Sequence, residues 1–438
     1  MNIADGVAIG VDFGTTNSVV AIAGRDGEVE TLTWPSAAGP TQTFRTALMF
    51  WREGRAVKHV AGPEALQRAI AAEGEQRFIQ SIKTHLASPL FSETRLYGER
   101  FTIERLVSTF LGHLLGDTRD LAQSLPVVSG RPVVFAGERP DEDLAVTRLT
   151  QSYRDAGLAQ VRLEYEPLGA AYWYARRLQR DETVLVADFG GGTSDFSVLR
   201  FERQGASFVA HPLAHTGVGV AGDTFDYRII TNVVAPRLGK GTSYRSFDKL
   251  LPIPAYFYAA FAQWHQLSWL KSGATLAELR KLISVAETPR MLENLQILIE
   301  MDLGFELYRS VSDVKAALSS ADAVPFRFDR EGVKIEAEVT RRDFELWIAP
   351  DLAKLAEALE RAIMRAGLRS EDIDAVFLTG GTSFVPAVRA LFQSRFGEAR
   401  VHIGDAFQSV AAGLALMALD QMQNNVPTRG LASSSTGA

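Results

Sequence analysis

The chain has 438 residues, more than one hydrophobic core usually serves, so roughly two to four packed units of about 100–200 residues are expected. Apolar residues make up 46% and charged residues 22%, an ordinary globular composition that excludes global disorder. The net charge of −6 argues against nucleic-acid and anionic-membrane partners, and the absence of cysteine excludes disulfides, thiolate metal sites and cysteine nucleophiles.

The first six residues carry neither the basic start nor the apolar run of a secretory signal. No stretch reaches the ~20 apolar residues a membrane span needs, so the cytoplasm is the expected address. In chain order, residues 7–13 form an apolar run that predicts a buried strand, with residues 19–22 returning as its hairpin partner. Helical patterns follow at residues 104–115 and, behind Pro167, at 168–178. Residues 184–189 predict a second buried strand with a return at 196–199, so the first hairpin pattern recurs and two similar lobes are expected.

The segment 228–339 breaks the strand-helix alternation with aromatic-rich helical stretches at 256–270 and 291–307, as an inserted subdomain would. Thr340 and Asp343 have the spacing of a capping box ahead of Phe344, Ile348 and Leu352 at helical intervals. Residues 375–379 predict a third buried strand, and residues 421–438 a flexible tail.

Each predicted strand runs into a Gly/Thr-rich turn. The first reads Asp12-Phe13-Gly14-Thr15-Thr16-Asn17-Ser18. Glycine lets successive backbone N–H groups converge on phosphate oxygens, and the Thr15 and Thr16 hydroxyls add donors. A carboxylate so near phosphate needs an intervening cation, so Asp12 suits the outer shell of Mg²⁺. The second reads Asp188-Phe189-Gly190-Gly191-Gly192-Thr193-Ser194-Asp195 and brings the metal-facing carboxylates to three, with Asp188 and Asp195, held largely through water. Taken singly, either turn is also compatible with a plain hairpin carrying polar residues. At Gly380-Gly381-Thr382 a flat base or ribose could lie against bare backbone, with an ordinary strand-to-helix turn as the equal alternative. Gly217, Gly219 and Gly222 match the dinucleotide pattern by letter, but Gly239-Lys240-Gly241 stands where a ribose-binding acid is required.

These turns, in this order, resemble the nucleotide-binding domain of DnaK-type chaperones of the seventy-kilodalton heat-shock family, in the actin-like ATPase superfamily. The resemblance implies an α/β actin-like ATPase fold with two ribonuclease-H-like lobes, each carrying an inserted subdomain. Lobe I takes residues 1–180 with an insertion at about 45–103, and lobe II takes residues 181–420 with the insertion at about 228–339. It further implies ATP or ADP with Mg²⁺ in the cleft, bound by Gly14, Thr15, Thr16, Asn17, Gly190, Gly191, Gly192, Thr193, Gly222, Lys315, Gly380, Gly381 and Thr382. Lys83 matches the family's lysine that reaches the γ-phosphate, and Glu166 the glutamate that lies near the metal and couples the lobes. With Asp188 and Thr193 they form the expected catalytic set for ATP hydrolysis.

Two departures stand out. Where the family's base-binding helix carries Glu-x-x-Lys-Arg, this chain has Ser312-Asp313-Val314-Lys315-Ala316, and Phe384 replaces the arginine that packs on adenine. The sequence also ends before the family's peptide-binding β-sandwich, like the short YegD-type members. An ATPase of chaperone type, monomeric and serving a protein client or co-chaperone, is the leading expectation. A nucleotide-gated interaction module with little turnover, a small-molecule kinase of the same superfamily and an actin-like filament are the others.

Overall fold

The structure is a computed structural model that describes residues 6–37, 39–70, 76–137, 139–158, 160–204, 207–262, 270–404 and 408–424. Strand Gly6–Phe13 pairs antiparallel with Asn17–Gly24, which pairs with Val29–Thr31, while on its other side lie the parallel strands Val127–Arg131 and Val161–Tyr165. A two-residue strand, Phe44–Arg45, also pairs with Asn17–Gly24.

A second sheet repeats this plan. Glu182–Phe189 pairs antiparallel with Ser194–Gln204, which pairs with Ser207–Val218, and the parallel strands Ala375–Thr379 and Val401–Ile403 complete the other side. The expected hairpins after Asp12 and Asp188 are therefore present, and the likeness of the two motifs extends to the topology around them.

Strand alternation explains where the acids go. Side chains two apart share a face. In the first sheet Ile9, Val11 and Phe13 enter one core, with helix Ile103–Leu115, while Ala8 and Gly10 face a second core. In the other sheet Leu185, Ala187 and Phe189 enter an outer core, while Val184 and Val186 join that same second core. Asp12 and Asp188 continue the inward-facing rows, at the strand ends where apolar packing gives way to polar loops.

The shared core is filled by two helices, Glu166–Ala175 and Ser409–Asn424. They cross almost backbone to backbone: a Cβ on Gly413 would lie 1.7 Å from the Gly169 carbonyl oxygen, and one on Gly10 would lie 2.1 Å from that of Ala411. The last helix includes residues 421–424, which the sequence places in a flexible tail; residues 425–438 lie outside the described residues.

The remaining elements sit beside the sheets. Strands Ala47–Glu53, Ala56–Ala61 and Gln76–Gln80 form a small sheet next to the hairpin Glu93–Leu96 and Glu99–Thr102. Between the second sheet's strands lie helices Gly273–Val285, Pro289–Glu300 and Gly304–Ala317 and hairpin Ala323–Arg330/Val333–Thr340. The helical stretch expected at 291–307 is broken at Asp302, whose φ of 58° lies in the left-handed region. Of the stretch expected at 256–270, Tyr256–Ala259 is helical, Ala260–Ala262 is a 3₁₀ turn and residues 263–269 lie outside the described residues. Thr340 caps helix Arg341–Arg365 by accepting the Asp343 N–H at 3.1 Å and donating to the Asp343 carboxylate at 2.7 Å. Its hydroxyl thus meets the Asp343 side chain directly, in place of the reciprocal bond of a full capping box.

The glycine crossing has a measurable consequence. Gly413→Ala forces two backbones apart and is expected to destabilise the fold by about 1–3 kcal/mol, as overpacking does. Gly273→Ala, with open space around its Cβ, should stay within about 0.5 kcal/mol of the parent; urea unfolding curves compare the two.

Candidate nucleotide cleft

The two sheets present their Gly-rich loops to one cavity of about 910 Å³. Asp12, Gly14, Thr15, Thr16 and Asn17 line it from one side, and Asp188, Gly190, Gly191, Gly380, Gly381 and Thr382 from the other, with Lys83, Glu166, Gly222 and Lys315 between. The loops meet: a Cβ on Gly191 would lie 2.2 Å from the Thr16 hydroxyl oxygen, so a larger residue here would have to turn that hydroxyl aside.

Each loop is braced from outside. Thr46 donates its hydroxyl to the Gly14 carbonyl at 2.8 Å and its N–H to the Thr16 carbonyl at 2.9 Å. The second hairpin closes through Gly190 N–H on the Thr193 carbonyl at 2.9 Å, and the Asp223 N–H bonds the Gly191 carbonyl at 2.8 Å. Gly380, at φ 82°, lies against this loop, because a Cβ there would sit 2.0 Å from the Phe189 carbonyl oxygen.

Lys83 is no surface lysine. After strand Gln76–Gln80 the chain bends sharply at Ser81, φ 54°, which turns Lys83 inward to 5% exposure. Its ammonium reaches Glu166 Oε1 at 2.5 Å and lies 5.9 Å from the centre of the Phe13 ring. Glu166 opens helix Glu166–Ala175, and Gly130 leaves room for it, since a Cβ there would lie 2.7 Å from Glu166 Cγ.

Gly192, Thr193 and Asp195 stand apart from the lining residues. Asp195 is buried behind the loop, accepting the Val134 N–H at 3.3 Å and the Thr193 hydroxyl at 3.3 Å. Burial, followed by repulsion from Glu166, pushes its carboxyl up to about 8. Asp12 and Asp188 are also held well above the ordinary carboxylate range, in both cases by burial first and Glu166 second, with Lys83 pulling the other way. Among the described residues no group of three or more His, Asp or Glu side chains could ligate a metal directly.

The sequence reading missed several cleft residues. Lys315 does not stand alone: its ammonium bonds the Gly222 carbonyl at 3.0 Å and Asp226 Oδ2 at 2.9 Å, while Asp226 Oδ1 is buried without a hydrogen-bond partner. Asp223 and Asp226 could have been found, because both belong to the element that begins at Gly222. Arg389, one helical turn beyond Phe384, places its guanidinium 5.5 Å from the Phe384 ring and bonds the Ser383 carbonyl at 3.0 Å. Arg45 lines the cavity from the strand beside Asn17, and nothing in its sequence context marks it.

The model of the Hsp70 protein family matches residues 56–241 and 294–424. The chain belongs to the Hsp70 protein family. Its actin-like ATPase fold, expected from the sequence, follows from that membership, and the two sheets described above are the cores of its lobes. Among curated proteins it is 25% identical to chaperone protein DnaK of Deinococcus proteolyticus and 26% identical to that of Deinococcus deserti, each over 94% of this chain and 59% of the relative. It is 26% identical to a chaperone protein HscA homolog of Azotobacter vinelandii, over 94% of this chain and 57% of the relative. The chain thus spans less than three fifths of the length of these Hsp70 relatives. Among the described residues, no helix is long and apolar enough to cross a membrane.

The raised carboxyls tie stability to pH. In the unfolded chain Asp195 ionises near its ordinary 3.8, whereas folded it keeps its proton up to about 8. The stabilisation is therefore complete below the unfolded value and is lost as pH rises through the folded one. The melting temperature of the ligand-free Hsp70 chain is expected to fall between pH 5 and about 8, with Asp12 and Asp188 adding in the same direction. Asp195→Asn, which stays neutral, should flatten that slope in a pH series of thermal unfolding curves.

Proposed function

We propose that this Hsp70 chain binds Mg²⁺ with ATP or ADP in the cleft between the Asp12 and Asp188 loops and hydrolyses ATP to ADP and phosphate. The observation that carries the reading is the direct meeting of the two Gly-rich turns, bare backbone at Gly191 against the Thr16 hydroxyl, beside a buried acidic set. Paired turns of this kind suit a polyphosphate gripped from two sides.

The cleft also suits the metal. Asp12, Asp188 and Asp195 hold it largely through water, and burial beside Glu166, which raises their carboxyls, favours the arrival of positive charge there. When bound, Mg²⁺ supplies neutralisation of the phosphate oxygens and of these acids.

The chain's own residues do the rest. Gly14, Thr15, Thr16 and Asn17 on one side, and Gly190 and Gly191 on the other, bind phosphate oxygens, while Gly192 and Thr193, outside the lining, hold that turn closed through the Gly190 N–H bond to the Thr193 carbonyl. Gly222 and Lys315 flank the ribose, and Gly380, Gly381 and Thr382 offer bare backbone to the base. Lys83, oriented by Glu166, positions a water in line with the γ-phosphorus, and the Thr193 hydroxyl, bonded to Asp195, would have to turn toward the cavity to assist it, so catalysis here is positioning and charge stabilisation. Residues 45–103 and 228–339 are the insertions of lobes bounded at residue 180. A protein client or co-chaperone, a monomeric state and a cytoplasmic address complete the proposal, all resting on family membership.

Lys83→Ala is expected to slow single-turnover ATP hydrolysis by about 10²–10³-fold while ATP binding, followed by calorimetry, changes far less. Hydrolysis at the parent rate removes Lys83 from the mechanism.

The base end differs in chemistry. Phe384 is 37% exposed in the cavity wall, and its ring replaces a guanidinium as the stacking surface. Phe384→Ala should weaken ATP binding by about tenfold, the cost of losing one aromatic stack on a base, and leave inorganic triphosphate binding unchanged.

A further inference from the structure

The cations of the cleft are unequally engaged. Lys83 holds Glu166, Lys315 holds Asp226 and the Gly222 carbonyl, and Arg389 holds the Ser383 carbonyl. Arg309 lines the cavity from an exposed helix surface. Arg45 is different: it is half-buried inside the cleft, yet among the described residues its guanidinium has no hydrogen-bond or ion-pair partner.

Its backbone is fixed against the first loop. Arg45 is in register with Asn17, and its neighbour Thr46 bonds both the Gly14 and Thr16 carbonyls and the Ser18 hydroxyl. The guanidinium therefore projects from a rigid base beside Thr15, Thr16 and Asn17. Across the cavity stand Asp223 and Asp226, which attract it, while burial works against its charge and lowers its affinity for the proton. Neither acid is within ion-pair distance, and Asp226 already shares its other oxygen with Lys315. An arginine fork left open in a cavity of this kind matches phosphate oxygens in geometry as well as charge.

We propose that Arg45 is a phosphate ligand of this chain, donating charge-assisted hydrogen bonds to the phosphate chain of the bound nucleotide beside Thr15, Thr16 and Asn17. Asp223 and Asp226 hold the guanidinium toward the cavity. The inference rests on the reading of the cleft as a nucleotide site and adds to it a cation supplied by the first lobe. No covalent step is assigned to Arg45; it binds and orients.

Calorimetric titration of the full chain with ATP, ADP and adenosine, in magnesium, tests it on the parent, Arg45→Gln and Arg45→Lys. Arg45→Gln is expected to weaken ATP and ADP by about 10–100-fold, the worth of one or two hydrogen bonds to a charged group, and to leave adenosine binding unchanged. Arg45→Lys should recover part of the loss, since it keeps the charge without the fork. ATP affinity equal to the parent in Arg45→Gln, or an equal loss for adenosine, overturns the assignment while leaving the nucleotide site standing. A parent chain that binds neither ATP nor ADP overturns the nucleotide reading and this inference together.

Discussion

Asp12, Asp188, Asp195 and Glu166 gather around a single lysine, Lys83, and most of the surrounding structure answers to that imbalance. Asp188, Asp195 and Glu166 are each at most 9% exposed and Asp12 is half-buried, and Lys83, paired with Glu166, is the cation that acts on all three aspartates. Burying unpaired charge is costly, so in the absence of a counter-ion such groups keep their protons instead. The raised carboxyls of Asp12, Asp188 and Asp195 are that response. A fold optimised for its own stability would not gather these acids; a fold that receives cationic charge with its ligand gains when that ligand arrives.

Holding the acids together requires two sheets to stay in fixed relation, and glycine makes this possible. The Gly169–Gly413 crossing lets two helices fill the space between sheets at backbone contact, and Gly10 admits the last helix against the first strand. Packing this close leaves no slack for the sheets to draw nearer, so the distance between the two loops is set far from the loops themselves. At the loops the same device recurs, with Gly191 on Thr16 and Gly380 on the Phe189 carbonyl. The Thr46 bonds to Gly14 and Thr16 then hold the first loop's shape from outside the cavity.

Much of this was legible in the sequence because it depends on local chemistry. A buried strand reads as a continuous apolar run and a phosphate turn as glycine followed by hydroxyls, so the hairpins at Asp12 and Asp188 and the strand before Gly380 could be drawn directly. Resemblance added Lys83 and Glu166, whose 2.5 Å contact joins residues far apart in the chain. What stayed hidden depends on tertiary placement. The positive φ of Asp302 divides a pattern that periodicity alone joins into one helix. Asp195 shares a motif with the lining residues but is directed behind the loop by its bonds to Val134 and Thr193. Arg45 has no local mark at all, because its importance comes from a pairing with Asn17 and from acids on the other lobe.

Different parts of the cleft are built from different materials. Between the Asp12 and Asp188 loops the constraint is glycine: a side chain at Gly380 would meet the fixed Phe189 carbonyl oxygen 2.0 Å away, and one at Gly191 would have to turn aside the Thr16 hydroxyl 2.2 Å away. Around Phe384 the wall is made of side chains on a helix and a turn, where one contact can be exchanged for another. Phe384 there carries the guanidinium of Arg389 at 5.5 Å from its ring, so aromatic face and positive charge are both present. An aromatic face with a cation beside it offers a surface on which a planar ring can stack.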